Sequence, residues 1–132
     1  MYTKRAIEVY QATAVTTTPM IDTMIELLNE MSNVLADAES EVERQTDPDI
    51  SEPMKKLQYA LFELMAVIDH GTEEGERLFL LYIALNQALV TVQLHRSYDL
   101  LPDIQLKVKQ LSEAWTAARR NQRLQRIQSD KL

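Results

Sequence analysis

Cysteine is absent from this 132-residue sequence, and glycine (2) and proline (4) are scarce. Without a thiol there is no disulfide, no thiolate nucleophile and no cysteine zinc site. So few chain breakers leave room for long regular elements. Histidine occurs only as His70 and His95. They fall on different predicted helices, and neither has a glutamate three residues before it, so the paired Glu-x-x-His motifs of a di-iron bundle are missing. No glycine-rich phosphate loop, Walker pattern or Gly-x-Ser-x-Gly occurs. Glu39, Glu41 and Glu43 alternate along a helix, do not share one face and read as solvated surface. His70 reads as a residue capping a helix end. We therefore expect no enzyme, no catalytic residues, no metal and no cofactor.

The net charge is −6, unevenly spread. Between Glu26 and Glu52 stand nine acids and one base, Arg44. The tail reverses this, with Arg119, Arg120, Arg123, Arg126 and Lys131 against Asp130. An acidic surface repels phosphate, which argues against a nucleic-acid partner. Cations late in the last helix complement its dipole. No apolar run follows the first five residues, so no signal peptide is expected. The longest apolar run is interrupted by Asn86, Gln87 and Gln93 and falls short of about 20 residues, so no membrane insertion is expected. The expected location is the cytoplasm.

Helical spacing organises the rest. Residues 1–17 mix Ile7, Val9 and Tyr10 with β-branched Thr13, Thr16 and Thr17 and read as a short arm or helix. Thr18-Pro19 opens the first long helix, threonine as N-cap and proline at the first position. Ile21, Met24, Ile25, Leu28, Met31, Leu35, Ala38 and Val42 follow at steps of three and four, to about Arg44. Asp47-Pro48-Asp49 is a loop signal. Ser51 is the expected N-cap of a second helix, striped by Met54, Leu57, Leu61, Leu64, Met65 and Ile68. His70-Gly71 is expected to end it, with Gly71 in the left-handed C′ position. Thr72 caps a third helix, which runs to about Arg96, with Glu73, Glu74 and Glu76 in its first turn. Asp99 is the expected N-cap of the fourth, which carries Leu101, Ile104, Val108, Leu111, Trp115 and Ala118 and frays into a basic tail from residue 120. Short connections force antiparallel neighbours, so the fold is all-α: a single-domain antiparallel four-helix bundle over 1–132.

The third helix is apolar beyond its needs. Thirteen of the seventeen residues from Leu78 to Leu94 are apolar, with no charge, proline or glycine among them. A helix packed on one side of a bundle needs about three apolar positions in seven, which leaves about six in surplus. At about 1.5 kcal/mol or more each, their burial is worth on the order of 9 kcal/mol. One stripe, Leu78, Leu81, Tyr82, Leu85, Leu89 and Val92, serves the core. The other, Phe79, Ile83, Val90 and Leu94, calls for a cover or a partner. Met20, Met24, Met31, Met54 and Met65 read either as core filling or as an adaptable surface for a peptide helix.

The motifs have a counterpart. Leu81-Tyr82, Leu85, Leu89, Leu101, Ile104, Leu111 and Ala114-Trp115 occur in the order and spacing of the flagellin-specific export chaperones, the FliS family, which this chain resembles. Tyr10-Gln11, Val15 and Thr18-Pro19 are similar to that family's N-terminal entry. The family's Leu-Tyr-Asp-Gly in the first long helix is replaced by Ile25-Glu26-Leu27-Leu28. The resemblance implies a cytosolic helical bundle that holds the disordered C-terminal segment of flagellin. It implies that such binding prevents early polymerisation and aids delivery to an export-gate component, without nucleotide.

These readings converge on a binding protein that takes amphipathic client segments into grooves between helices. The expected contacts are Phe79, Ile83, Val90 and Leu94, with Tyr10 and Val15 nearby. Residues 1–17 are expected to fold over that stripe when no client is bound. A client-free monomer is expected; the rival reading is an obligate homodimer joined through the same stripe.

Overall fold

The computed structural model describes residues 18–130, with side chains from Met20 to Gln128. It contains four long helices: α1 (Thr18–Arg44), α2 (Ser51–Ala66), α3 (Glu73–His95) and α4 (Leu101–Asp130). A single 3-10 turn, Tyr98–Leu100, precedes α4. There is no strand among the described residues. The expected all-α bundle is what the chain forms.

Each helix turns its apolar stripe inward. Ile21, Leu28 and Leu35 of α1, Leu57, Leu61 and Leu64 of α2, Leu78, Tyr82 and Leu89 of α3, and Val108 and Trp115 of α4 are fully buried together. α1 packs on α4 and α2, α2 on α3, and α3 on α4, so the four helices close a ring in chain order. The α1–α4 contact is the most extensive and the α3–α4 contact the sparsest.

Polar side chains fix the antiparallel register of α1 against α4. Gln105 Nε2 donates to the Ser32 carbonyl at 3.1 Å, Ser112 Oγ to Asn29 Oδ1 at 2.7 Å, and Arg119 Nη1 to Asp22 Oδ1 at 2.9 Å. The donors on α4 are seven residues apart, two helical turns, so all three lie along one edge. A one-turn slip would leave partly buried polar groups unpaired, at about 1–3 kcal/mol each.

The connections differ in detail from the sequence expectations. Ser51 is the first residue of α2, not its cap. Ile50 holds the cap position without a side-chain bond, and the carboxylate of Asp49 before it accepts from the Ser51 hydroxyl at 2.6 Å and the Ser51 N–H at 3.0 Å. These two bonds hold the Asp49 carboxyl below its ordinary value. α2 stops at Ala66, short of His70-Gly71. Gly71 does not adopt a left-handed conformation; among the described residues Arg96, after α3, is the one that does, with φ 53°. Ile68 is nevertheless buried, reached from the loop rather than from the helical stripe. Asp99 lies inside the 3-10 turn and does not cap α4. The basic stretch after residue 120 is helical, α4 continuing to Asp130.

Thr72 caps α3 as expected, its Oγ1 accepting from the Gly75 N–H at 3.0 Å. The loop doubles back tightly here. The Asp69 carbonyl accepts from the Thr72 hydroxyl at 3.1 Å. A Cβ at Gly75 would stand 2.0 Å from that carbonyl oxygen and 2.8 Å from Thr72 Oγ1. Glycine is required there for space, not for dihedral freedom.

Three outcomes are expected. Gly75→Ala should lower stability by about 1–3 kcal/mol through steric overlap, read by denaturant unfolding. Trp115→Ala should cost about 3–5 kcal/mol, and native Trp115 should emit as a buried indole. Ser51→Ala should raise the Asp49 pKa toward the usual carboxylate value in an NMR titration. Because the folded pKa is the depressed one, the stabilisation from these bonds is complete above the unfolded carboxylate range. It is lost as pH falls through the folded value.

Candidate functional site

A helix advances about 100° per residue, so α3 can be divided into faces. Leu78, Tyr82, Leu85, Leu89 and Val92 form its buried face. Leu81, Ala84 and Ala88 lie on one flank, where with Leu85 they line a groove against Ile104, Lys107, Gln110 and Leu111 of α4. That groove has a volume of about 180 Å³. The two alanines account for it: small side chains at successive turns leave room between the helices.

Phe79, Ile83, Val90 and Leu94 lie on the opposite flank, which by the same rotation looks toward α2. The structure therefore brings these four expected contact residues onto one edge. Phe79, Ile83 and Val90 are half-buried, while Leu94 is 71% exposed. Asn86 lies on the same edge between Ile83 and Val90, and its Oδ1 is buried without a hydrogen-bond partner. At the start of the edge, His70 meets Phe79 ring to ring, edge-on, with centroids 4.7 Å apart. His70 Nδ1 also lies 3.0 Å from Glu76 Oε1. His70 thus fixes the loop on the first turns of α3 instead of ending α2. Tyr10, Val15 and the arm that carries them lie outside the described residues.

Sequence reasoning missed α2. Its outward side carries Tyr59 at 68% exposure and Phe62 at 54%, with Val67 exposed at its end. By helix rotation Phe62 lies off the side of α2 that lines the grooves toward α1. The signal was present: Tyr59 and Phe62 fall outside the Leu57–Leu61–Leu64 stripe, the same surplus that singled out α3.

The other flank of α2 forms a second groove with α1. Met20, Thr23, Met24 and Leu27 face Glu63, Ala66 and Val67 across a volume of about 460 Å³. It continues past Leu27 and Glu63 into a smaller hollow of about 180 Å³ beside Met31, Val34 and Tyr59. Met24, Met31 and Met54 are buried core, with Met24 and Met31 also reaching the grooves, while Met20 and Met65 are partly buried.

By length and composition α3 could cross a membrane. Its buried face is nevertheless committed to the other helices of the bundle. Among the described residues no group of three or more histidine, aspartate or glutamate side chains could hold a metal ion. The grooves are concave and largely apolar, with Glu30, Lys56, Glu63 and Lys107 among their lining residues. Apolar grooves of this kind suit the burial of an amphipathic segment.

Compared with protein families, residues 2–122 match the model described as Flagellar protein FliS. No match was found among curated proteins or solved structures.

The grooves differ in what a charge does to them. Val67→Lys, on the exposed rim of the α1–α2 groove, should reduce binding of an apolar fluorescent dye with a stability change within about 0.5 kcal/mol. Ile83→Asp, on the half-buried edge, should lower stability by about 1–3 kcal/mol as well. Parallel dye titration and urea unfolding check both.

Proposed function

The chain belongs to the FliS family of flagellar chaperones, and we propose that it holds the disordered C-terminal segment of flagellin along the Phe79–Leu94 edge of α3. The client folds on binding as one or more amphipathic helices. Held in this way, flagellin subunits are kept from premature polymerisation and are passed to the export apparatus. Binding energy alone suffices, so no nucleotide or cofactor takes part.

The observation that carries this reading is the α3 edge with its neighbour on α2. Phe79 to Leu94 spans sixteen residues, about 22 Å along the helix. That is the length of a four-turn client helix presenting apolar residues at steps of three and four. Phe62, Ile83 and Leu94 offer apolar surface that the bundle leaves only partly covered. A soluble protein rarely keeps such an edge unless it is used. A disordered client gives up several kcal/mol of ordering entropy on binding. A long apolar edge offsets that cost where a single pocket could not. Acidic residues dominate the far half of α1, away from this edge, and leave it to apolar contacts.

A C-terminal flagellin fragment should bind one per chain and gain helical circular dichroism. Leu94→Asp is the sharper test, because Leu94 is well exposed and its loss leaves the core intact. Leu94→Asp and Phe62→Asp should each weaken binding about tenfold or more, by calorimetry, with the helical signal of the free protein unchanged. Undiminished affinity in both variants would place the client elsewhere on the bundle.

A further inference from the structure

The end of α4 has no neighbour among the described helices. Arg119 meets Asp22 of α1, and in an antiparallel pair each further residue of α4 moves one residue back along α1. Thr18 is therefore passed near Arg123, and Leu124 to Asp130 extend beyond the start of α1. Leu124 is 53% exposed and Ile127 51%. The stretch from Asn121 to Gln128 contains no acid. Of its neighbouring arginines only Arg119 has an ion-pair partner among the described residues; Arg120, Arg123 and Arg126 have none. An uncovered helical end of this length is marginal in water unless something packs on it.

A complementary surface lies at the same end of the bundle. The wider part of the α1–α2 groove is built from the first turns of α1 and the last turn of α2. Its floor is apolar, formed by Met20, Met24 and Leu27, and its rim carries the carboxylate of Glu63. The adjoining hollow adds Glu30 and Lys56. An apolar floor whose one charged lining residue is Glu63 fits a basic helix bearing two apolar residues one turn apart, which describes the end of α4. The tail cannot turn back into its own groove, because it continues a straight helix away from the bundle.

We infer that two copies of this chain pair end to end, each laying its α4 tail in the α1–α2 groove of the other. Leu124 and Ile127 enter the methionine-lined floor, and Arg123 and Arg126 face Glu63 and Glu30. The exchange is reciprocal, so a two-fold axis closes the pair and no open chain of copies results. Methionine suits such a floor because its flexible side chain moulds to a helix. The α3 edge stays free in the pair, so client binding and pairing are independent readouts. This contact also differs from a dimer joined through α3.

The test is sedimentation equilibrium of the full chain and of charge-reversed variants. All substitutions sit at exposed positions, and circular dichroism checks that each variant keeps its helices. Wild type is expected to associate reversibly to a dimer. A tail variant, Arg123→Glu with Arg126→Glu, and a groove variant, Glu63→Lys, should each dissociate about tenfold or more readily. Mixed in equal amounts, the two should associate with each other more tightly than either does with itself, because each interface then joins opposite charges. Leu124→Asp should weaken pairing in every combination. A wild type that stays monomeric at all concentrations overturns the inference and leaves the groove to residues 1–17 or to another protein. Charge reversals that change nothing, or a mixture no tighter than its components, overturn it equally.

Discussion

The contact between the first and last long helices decides whether this chain is a bundle at all. α1 and α4 are far apart in sequence, so bringing them together carries most of the loop-closure cost of the fold. Their interface offsets it with the largest shared surface in the molecule, including Ile21, Leu28, Leu35, Val108 and Trp115. Apolar stripes alone tolerate sliding. The bonds from Gln105 to Ser32, Ser112 to Asn29 and Arg119 to Asp22 do not, since a slip would strand partly buried polar groups. The Arg119–Asp22 pair is partly exposed and contributes little by itself, at most about 1 kcal/mol. Its value lies in setting register together with the other two.

With α1 and α4 in register, the grooves and the half-covered edge lie at the borders of α2 and α3. α2 is the shortest helix, about 24 Å against about 45 Å for α4. It cannot cover the full length of either neighbour. The groove toward α1 and the half-covered edge toward α3 both follow from that shortfall. The alanines of α3 open the third gap, on the α4 side. The proposed client calls for this combination, a frame that keeps its shape and apolar seams along it.

Much of this was legible in the residues. The stripes of α1 and α4 predict the buried set almost residue for residue, because three- and four-residue spacing constrains which side chains can face a common core. The surplus on α3 was legible for the same reason. Loop details were less so. His70-Gly71 carries the usual marks of a helix end, yet the chain leaves the helix at Ala66. Ile68 anchors the loop in the core, and Asp69 collects hydrogen bonds from Gly71 and Thr72. Local propensity could not foresee a stop imposed by packing several residues earlier. Likewise Ser51 does not cap α2 but bonds back to Asp49, two residues before it.

The sequence by itself determined the helical class, the four stripes, the family likeness and the excess of apolar surface on α3. Each depends on residue type and spacing along one helix, which a linear pattern records. Only the tertiary structure decided where the surplus goes: half-sheltered on one flank of α3, open on α2, and gathered with Met20 and Met24 into a groove. That choice depends on helix lengths, the order of neighbours and the α1–α4 register. Those are relations between segments distant in sequence, and no single helix's pattern contains them.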